Sequence, residues 1–354
     1  MAACLHYIGM PGQCQLGPRG GQSRFAGTTG RRWVLWARQD FLIETSRHSP
    51  YNGFYMKRKR TSYLVRGLLP GAILWLWLGG ISHGDSVLGV VCDPLIVRQG
   101  GVCLVTVSGS DSLTSAHGEF LKTRFPMARA GDGVFQGLLG IDMKTTPGTY
   151  TIRAVAEGHD RENLERVFSL EVAAYGFGVQ HLTLPPSKVD LDSKTLERVR
   201  EETKRVKAVL GTYRDERLWS GPFVRPVDGA VTAPFGVRRI LNGQERSPHT
   251  GVDLRAPEGT PIRACNSGVV VLVGDLFFSG NMVVLDHGWG IYSMYSHLSE
   301  PLVHEGDGVA KGEVIGLAGS TGRATGPHLD WRVRINGARV DPLVVLELTE
   351  QLDE

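Results

Sequence analysis

Residues 325–335 read Thr-Gly-Pro-His-Leu-Asp-Trp-Arg-Val-Arg-Ile, and their order decides the fold. Successive side chains of a strand point to opposite faces. After the Gly326-Pro327 turn, His328, Asp330, Arg332 and Arg334 therefore share one face, and Leu329, Trp331, Val333 and Ile335 share the other. The second set is suited to burial, and the first sends His328 and Asp330 together into one cleft. Working outward, further apolar runs stand at 268–273, 281–286, 290–295 and 314–318, separated by Gly-rich turns. No helical stretches of 10–15 residues alternate with them, which argues against a doubly wound parallel sheet and for an all-β, antiparallel region over 221–346 with a tail at 347–354.

The same strand-and-turn texture recurs upstream. Short apolar runs stand at 95–97, 102–107, 134–141, 149–155 and 167–172, and Pro147-Gly148 opens a clean alternation. This pattern predicts a small immunoglobulin-like β-sandwich over 85–175, read as a spacer or binding module because no reactive residues cluster in it. Between the two β regions, 176–220 is a charged linker in which Leu196, Val199, Val206, Val209 and Leu210 recur at helical spacing. The linker is expected to carry a helix over 193–210, capped by Ser193, with a solvated charged face.

Composition agrees. The chain has 354 residues, 42% hydrophobic and 21% charged, with a net charge of +3, which excludes a disordered chain and a polytopic membrane protein. Its 46 glycines make about 13%, roughly twice the usual share and without a collagen period. The mildly basic balance, with no Lys/Arg run in the globular part, gives no nucleic-acid groove. Five cysteines without a CxxC pair exclude a zinc finger or a thioredoxin-type site. Lys57-Arg58-Lys59-Arg60, the apolar run Leu68 to Leu78 and the small residues before Asp85 form a signal peptide over 56–84. The run is too short to span a bilayer, so membrane contact is expected only through an uncleaved signal segment, with inner-membrane anchoring as the alternative. Met56 stands where an initiator belongs, and 1–55 reads as a mis-extended or disordered leader. Export to the periplasm implies an oxidising compartment, where Cys92 and Cys103 either pair or remain two buried thiols.

Three clusters in the last region carry chemistry: Ser247-Pro248-His249-Thr250-Gly251-Val252-Asp253, Tyr295-Ser296-His297-Leu298 and Gly326-Pro327-His328-Leu329-Asp330-Trp331. Imidazole and carboxylate are natural zinc ligands, and three histidines with two aspartates in such settings outweigh the reading of each as a turn or core residue. Ile291, Ser293, Tyr295 and His297 are expected on one strand face. His287, in Asp286-His287-Gly288, reads as a hairpin-turn residue and His304 as an exposed loop residue, and both are left out of the site.

The stretch 221–345 resembles the M23 (LytM-type, lysostaphin-like) zinc metallopeptidases, which cut peptide cross-links in bacterial cell walls. The likeness rests on Phe235-Gly236 with Arg238-Arg239, His249-x-x-x-Asp253, Gly259-Thr260-Pro261, Ser279-Gly280-Asn281, Tyr295-x-His297-Leu298, Gly306-Asp307, Gly316-x-x-Gly319-x-Thr321-Gly322 and Thr325-Gly326-Pro327-His328-Leu329-x-Trp331. It implies that His249 and Asp253 are zinc ligands, that His297 and His328 act on the attacking water and the oxyanion, and that Asn281 and Tyr295 touch substrate. The third ligand is normally the second His of His-x-His, and here that position is Asp330. A carboxylate oxygen binds zinc at about 2.0–2.2 Å, so Asp330 can replace it. Two carboxylates lower the charge of the centre and favour a harder divalent metal such as manganese. The implied activity is hydrolysis of peptidoglycan stem peptides. The alternative is a degenerate module that binds peptidoglycan, or activates a cell-wall amidase or cell-division partner, without catalysis of its own.

Overall fold

The computed structural model describes residues 88–158, 163–183, 185 and 190–351. The leader expected at 1–55 and the signal segment at 56–84 lie outside the described residues. No helix among the described residues is long and apolar enough to cross a membrane.

The first β region holds β1 (Gly89–Asp93), β2 (Ile96–Arg98), β3 (Val102–Ser108), β4 (Leu113–Phe120), β5 (Thr123–Gly131), β6 (Val134–Gly140), β7 (Gly148–Gly158) and β8 (Asn163–Ala173). They pair in the order β1-β3-β6-β5-β4-β7-β8-β2. Strand β5 joins two leaves: Thr123–Met127 pair with β4, and Ala128–Gly131 with β6. The result is the β-sandwich read from the sequence. Its core is built on alternation, with Cys103, Val105 and Val107 of β3 facing Phe125, Ile152, Ala154, Leu170 and Val172. Strands β4 and β5 were not expected, because Thr-Ser-Ala-His-Gly-Glu and Thr-Arg-Phe-Pro-Met-Ala-Arg show no apolar run. Cys92 and Cys103 are both buried free thiols, the second of the two expected arrangements. A hydrogen bond with Cys92, together with burial, pushes the Cys103 thiol well up.

The linker contributes β9 (Val179–Leu182) and α1 (Ser193–Leu210). The N-cap is Asp192 rather than Ser193: its carboxylate Oδ1 accepts from Thr195 N–H at 2.7 Å. The charged face of α1 is solvated as expected. The C-terminal half of its apolar stripe is partly covered, since Val206, Val209 and Leu210 pack over Leu272, Met282, Val284, Tyr292 and Met294, whereas Leu196 is exposed.

The second β region comprises β10 (Val231–Ala233), β11 (Arg238–Leu241), β12 (Gln244–Arg246), β13 (Val252–Arg255), β14 (Pro261–Arg263), β15 (Gly268–Leu276), β16 (Gly280–Asp286), β17 (Ile291–Pro301), β18 (Gly308–Val309), β19 (Val314–Ala318), β20 (His328–Ile335) and β21 (Ala338–Val340). The main sheet runs β10-β13-β20-β17-β16-β15-β18 and is antiparallel throughout. Leu329, Trp331, Val333 and Ile335 are wholly buried with Val252, Leu254, Val283 and Leu285, as the alternation of β20 requires. Strands β12, β11 and β9 form a separate small sheet. The expected tail is partly helix: α2 (Pro342–Gln351) buries Val345 and Leu348, and Phe223 N–H donates to Thr349 Oγ1 at 3.0 Å.

The sandwich docks on the far end of β20. Val102, Leu138 and Met143 share a core with Ile335 and Val340, and Arg98–Asp341 (2.6 Å) and Arg339–Asp142 bridge the seam. Seven strand residues, roughly 23 Å, separate that end from His328. A second tie runs closer to the histidine clusters. Phe177 packs edge-on against Phe235 with centroids 6.0 Å apart, and a Cβ on Gly236, whose φ is +82°, would lie 1.9 Å from Phe177.

Candidate metal centre

Strands β13 and β20 pair so that Asp253 stands directly opposite Asp330, and β17 sets Ser296 against the other side of Asp330. Like charges opposite one another in a sheet are destabilising. Both carboxylates are nonetheless buried, at 7% and 1% exposure. Each is held by its own arginine. Arg239 Nη2 donates to Asp253 Oδ2 at 2.6 Å. Arg332 Nε reaches Asp330 Oδ1 and Oδ2 at 3.0 and 3.2 Å, and its Nη2 also donates to Oδ2. Burial opposes the charged form of both groups. Arg332 and the nearby histidines outweigh it at Asp330, and His249 and Arg239 do so at Asp253, so both carboxyls lie below the ordinary carboxylate range.

His249 enters from the segment before β13. Its N–H donates to Val237 O and its carbonyl accepts from Gly236 N–H, both at 2.9 Å. A side chain on Gly251 would strike Trp331 O and Arg332 Cγ at 2.4 Å, so glycine is what lets this segment lie against β20. His249 Nε2 and Asp253 Oδ1 face one another at 2.8 Å, yet each is buried without a hydrogen-bond partner. Buried polar atoms are nearly always satisfied, and two orphaned lone-pair atoms turned on one point fit a cation. Donor atoms of His249, Asp253 and Asp330 all lie within 4.8 Å of one another, a nitrogen and two oxygens that can hold a metal ion.

The two remaining histidines close the ring. His328 Nε2 is 3.9 Å from Asp253 Oδ1, His297 Nε2 is 4.0 Å from Asp330 Oδ2, and the two imidazoles are 4.8 Å apart. Nδ1 of His297 lies 2.8 Å from Thr321 O, and Nδ1 of His328 lies 2.8 Å from Gly326 O. A carbonyl only accepts, so each Nδ1 carries the hydrogen, and in the neutral ring Nε2 presents a lone pair to the centre. Burial lowers His297 to about 4, with His328 adding to the effect and Asp330 opposing it.

The structure thus brings together His249, Asp253, His297, His328 and Asp330. It does not bring in Tyr295. That ring is fully buried opposite Trp331, and its hydroxyl accepts from Cys265 N–H and Ser293 Oγ, both at 2.9 Å. The expectation that Tyr295 and His297 share a face fails at a β-bulge. The register shifts between Asn281 and Val283, and His297 takes φ +67°, which turns its ring to the Ser296 side. Asn281 spends its side-chain amide on Ser299 O at 3.0 Å, bracing β16 to β17. His287 stands in the turn between β16 and β17, as read from the sequence. It is wholly buried, 2.8 Å from Ser267 O and 2.7 Å from Ser293 Oγ, and burial lowers it to about 4. His304 is exposed, as expected.

The sequence pattern of peptidase family M23 matches residues 247–342, the span that contains all five of these residues. A crystal structure from Pseudomonas aeruginosa assigned to peptidase M23 superposes with a TM-score of 0.55 at 30% identity, over 72% of this chain and 95% of that one. This chain belongs to peptidase family M23. Among curated relatives, the DD-carboxypeptidase/endopeptidase Mpg of Neisseria meningitidis serogroup B is 44% identical over 124 residues, 35% of this chain and 29% of its own length. The peptidoglycan DD-endopeptidase ShyA of Vibrio cholerae is 40% identical over 121 residues, 33% of this chain and 28% of its own. The chain spans less than a third of the length of these relatives.

Sequence reading of the M23 centre assigned no role to Arg239, Arg332 or Ser296. Alternation sets Arg332 beside Asp330, and Arg239 belongs to the family likeness, but no letter shows that Arg239 reaches Asp253 from another strand. Ser296 Oγ is buried beside Asp330 without a hydrogen-bond partner.

Proposed function

We propose that this M23 chain is a zinc-dependent endopeptidase that hydrolyses the peptide cross-links of peptidoglycan in the periplasm, reached through the export segment at 56–84. The observation that carries the reading is the pair of orphaned atoms, His249 Nε2 and Asp253 Oδ1, ringed by Asp330, His297 and His328. His249, Asp253 and Asp330 would hold the metal. A divalent ion bound there supplies Lewis-acid polarisation of a carbonyl and acidifies water. His297, kept neutral by burial and aimed by Thr321 O, takes the proton of the attacking water on Nε2 and passes it to the departing amine. His328, with the more exposed ring and aimed by Gly326 O, faces the position of the developing oxyanion beside Asp253. The names of the curated relatives, a DD-carboxypeptidase/endopeptidase and a peptidoglycan DD-endopeptidase, support the substrate class and bond type.

A second reading, a peptidoglycan-binding or amidase-activating module without catalysis, is favoured by one observation: both oxygens of Asp330 already accept from Arg332. Carboxylate oxygens have a second lone pair each, so the two roles are compatible. Digestion of purified cell wall, followed by chromatography of released peptides, decides between the readings. Soluble, uncross-linked peptides with zinc and none with chelator support the endopeptidase. No release under either condition, with stimulation of a separate amidase, supports the module.

A further inference from the structure

Four arginines converge on this cleft: Arg239, Arg246, Arg323 and Arg332, the other three all acting electrostatically on Arg323. Arg239 and Arg332 are matched to Asp253 and Asp330, and Arg246 has Asp190 at 3.7 Å. Arg323 has no carboxylate within ion-pair distance among the described residues. Its guanidinium lies 4.0 Å over the Phe278 ring and is half-buried. Burial, then Arg239, Arg246 and Arg332, lower it to about 10, so the fold retains this cation at an electrostatic cost.

Its backbone is fixed by the loop that aims His297. Arg323 N–H donates to Phe278 O at 2.9 Å, and Thr321, two residues earlier, supplies the carbonyl that holds His297 Nδ1. Thr321 Oγ1 donates to Leu298 O and accepts from Asn281 N–H. Gly322, at φ +73°, presses the loop onto Gly280, where a Cβ would come within 2.3 Å of the Gly280 nitrogen. A guanidinium presents a rigid planar fork that matches a carboxylate. Stacked on an aromatic ring, rigidly hung and unmatched by any acid among the described residues, Arg323 is preorganised for an anion that arrives from outside.

We propose that Arg323 recognises a carboxylate of the substrate, namely the free α-carboxylate of the residue that departs as the amine. This rests on the reading of the cleft as a peptide-hydrolysing site. The side follows from the loop: the segment that carries Arg323 is the one whose Thr321 O aims His297, the residue that returns its proton to the departing amine. One anchor then serves two substrates. A C-terminal residue carries a free carboxylate on the carbon that bears the departing amine, and so does a cross-linking diamino acid whose side-chain amine shares its carbon with a second, free carboxylate.

The test compares an N-acylated D-alanyl-D-alanine bearing a free carboxylate with the same peptide as its carboxamide, using the full chain. Both kcat/KM and calorimetric binding to zinc-free protein are measured for wild type, Arg323→Gln and Arg323→Lys. Wild type is expected to favour the carboxylate roughly 10- to 100-fold, as for hydrogen bonds to a charged group. Arg323→Gln brings the ratio within about twofold of unity, mainly through KM, and Arg323→Lys keeps part of it. Loss of the Phe278 stack alone weakens both peptides equally and leaves the ratio intact. An unchanged ratio in Arg323→Gln, or a wild type that does not discriminate, overturns the proposal. Carboxylate-selective binding by a wild type that hydrolyses neither this peptide nor purified cell wall overturns the endopeptidase reading and leaves the arginine's role standing.

Discussion

Replacing Arg332 with methionine isolates the electrostatics of the centre. Asp330 is 1% exposed, and every hydrogen bond it accepts from a side chain comes from Arg332. Removing one member of a buried pair strands the other charge and costs about 3–5 kcal/mol. At about 2–4 °C per kcal/mol for a domain of 150–250 residues, the chelated variant should melt roughly 6–20 °C below wild type at pH 7. In wild type the Asp330 carboxyl is depressed, so its contribution is present above the unfolded value near about 4 and is lost as pH falls through the lower folded one. In the variant the stranded carboxyl is raised instead, and protonation relieves it, so the deficit should narrow as pH drops toward 4. A bound cation replaces the missing countercharge, and added zinc should therefore raise the melting temperature more in Arg332→Met than in wild type. Thermal unfolding by circular dichroism, with chelator and with zinc across pH 4–7, measures all three quantities. A chelated Arg332→Met within about 2 °C of wild type at pH 7, or an equal zinc shift in both proteins, would refute the pairing argument.

Three further outcomes follow from the same geometry. His249→Ala and Asp253→Ala should lose metal on desalting, whereas His297→Ala and His328→Ala should keep it and lose turnover; atomic absorption beside a hydrolysis assay separates the groups, and a metal-free His297→Ala would sink the division of roles. Asp330→His should tighten zinc binding less than Asp330→His combined with Arg332→Gln, because the single change leaves a buried guanidinium facing the cation, and competition with a chromophoric chelator ranks the two; Asp330→Ala should weaken binding. Since protonation of His297 is disfavoured down to about 4, the acid limb of kcat/KM assigned to it should lie at or below about pH 4, and a limb near 6.5 that vanishes in His297→Ala contradicts that assignment.

Where the chain obeys strict alternation, the sequence was readable. The face division of β20 was visible in eleven letters, and with it the core residues Trp331 and Val333 and the cleft residues His328 and Asp330. Where the backbone departs from alternation, it was not. The bulge at Ser296-His297 reverses the face of Tyr295 relative to His297, and no residue type announces it, because the φ of +67° falls on a histidine rather than a glycine. Ligand partners from distant strands were equally hidden, since nothing near Asp253 in sequence points to Arg239. The sandwich strands β4 and β5 show no apolar run because the inward face of β4 is interrupted by Gly118, and the residues between the inward ones are polar or, at 126, a proline.

The small sheet has a consequence for how much of the chain must fold with the M23 centre. Strand β9 lies in the stretch between the two β regions, yet it pairs in parallel with β11, the strand that carries Arg239 to Asp253. Just before it, Phe177 fills the space over Gly236, whose N–H binds the carbonyl of His249. A chain shortened to begin at residue 221 keeps every side chain of the centre but leaves the β11 edge bare and removes the wedge behind His249. The stretch alike in letters, 247–342, is therefore smaller than the stretch that must fold together to hold the centre in shape, and any dissection of this protein for assay should be cut ahead of Tyr175.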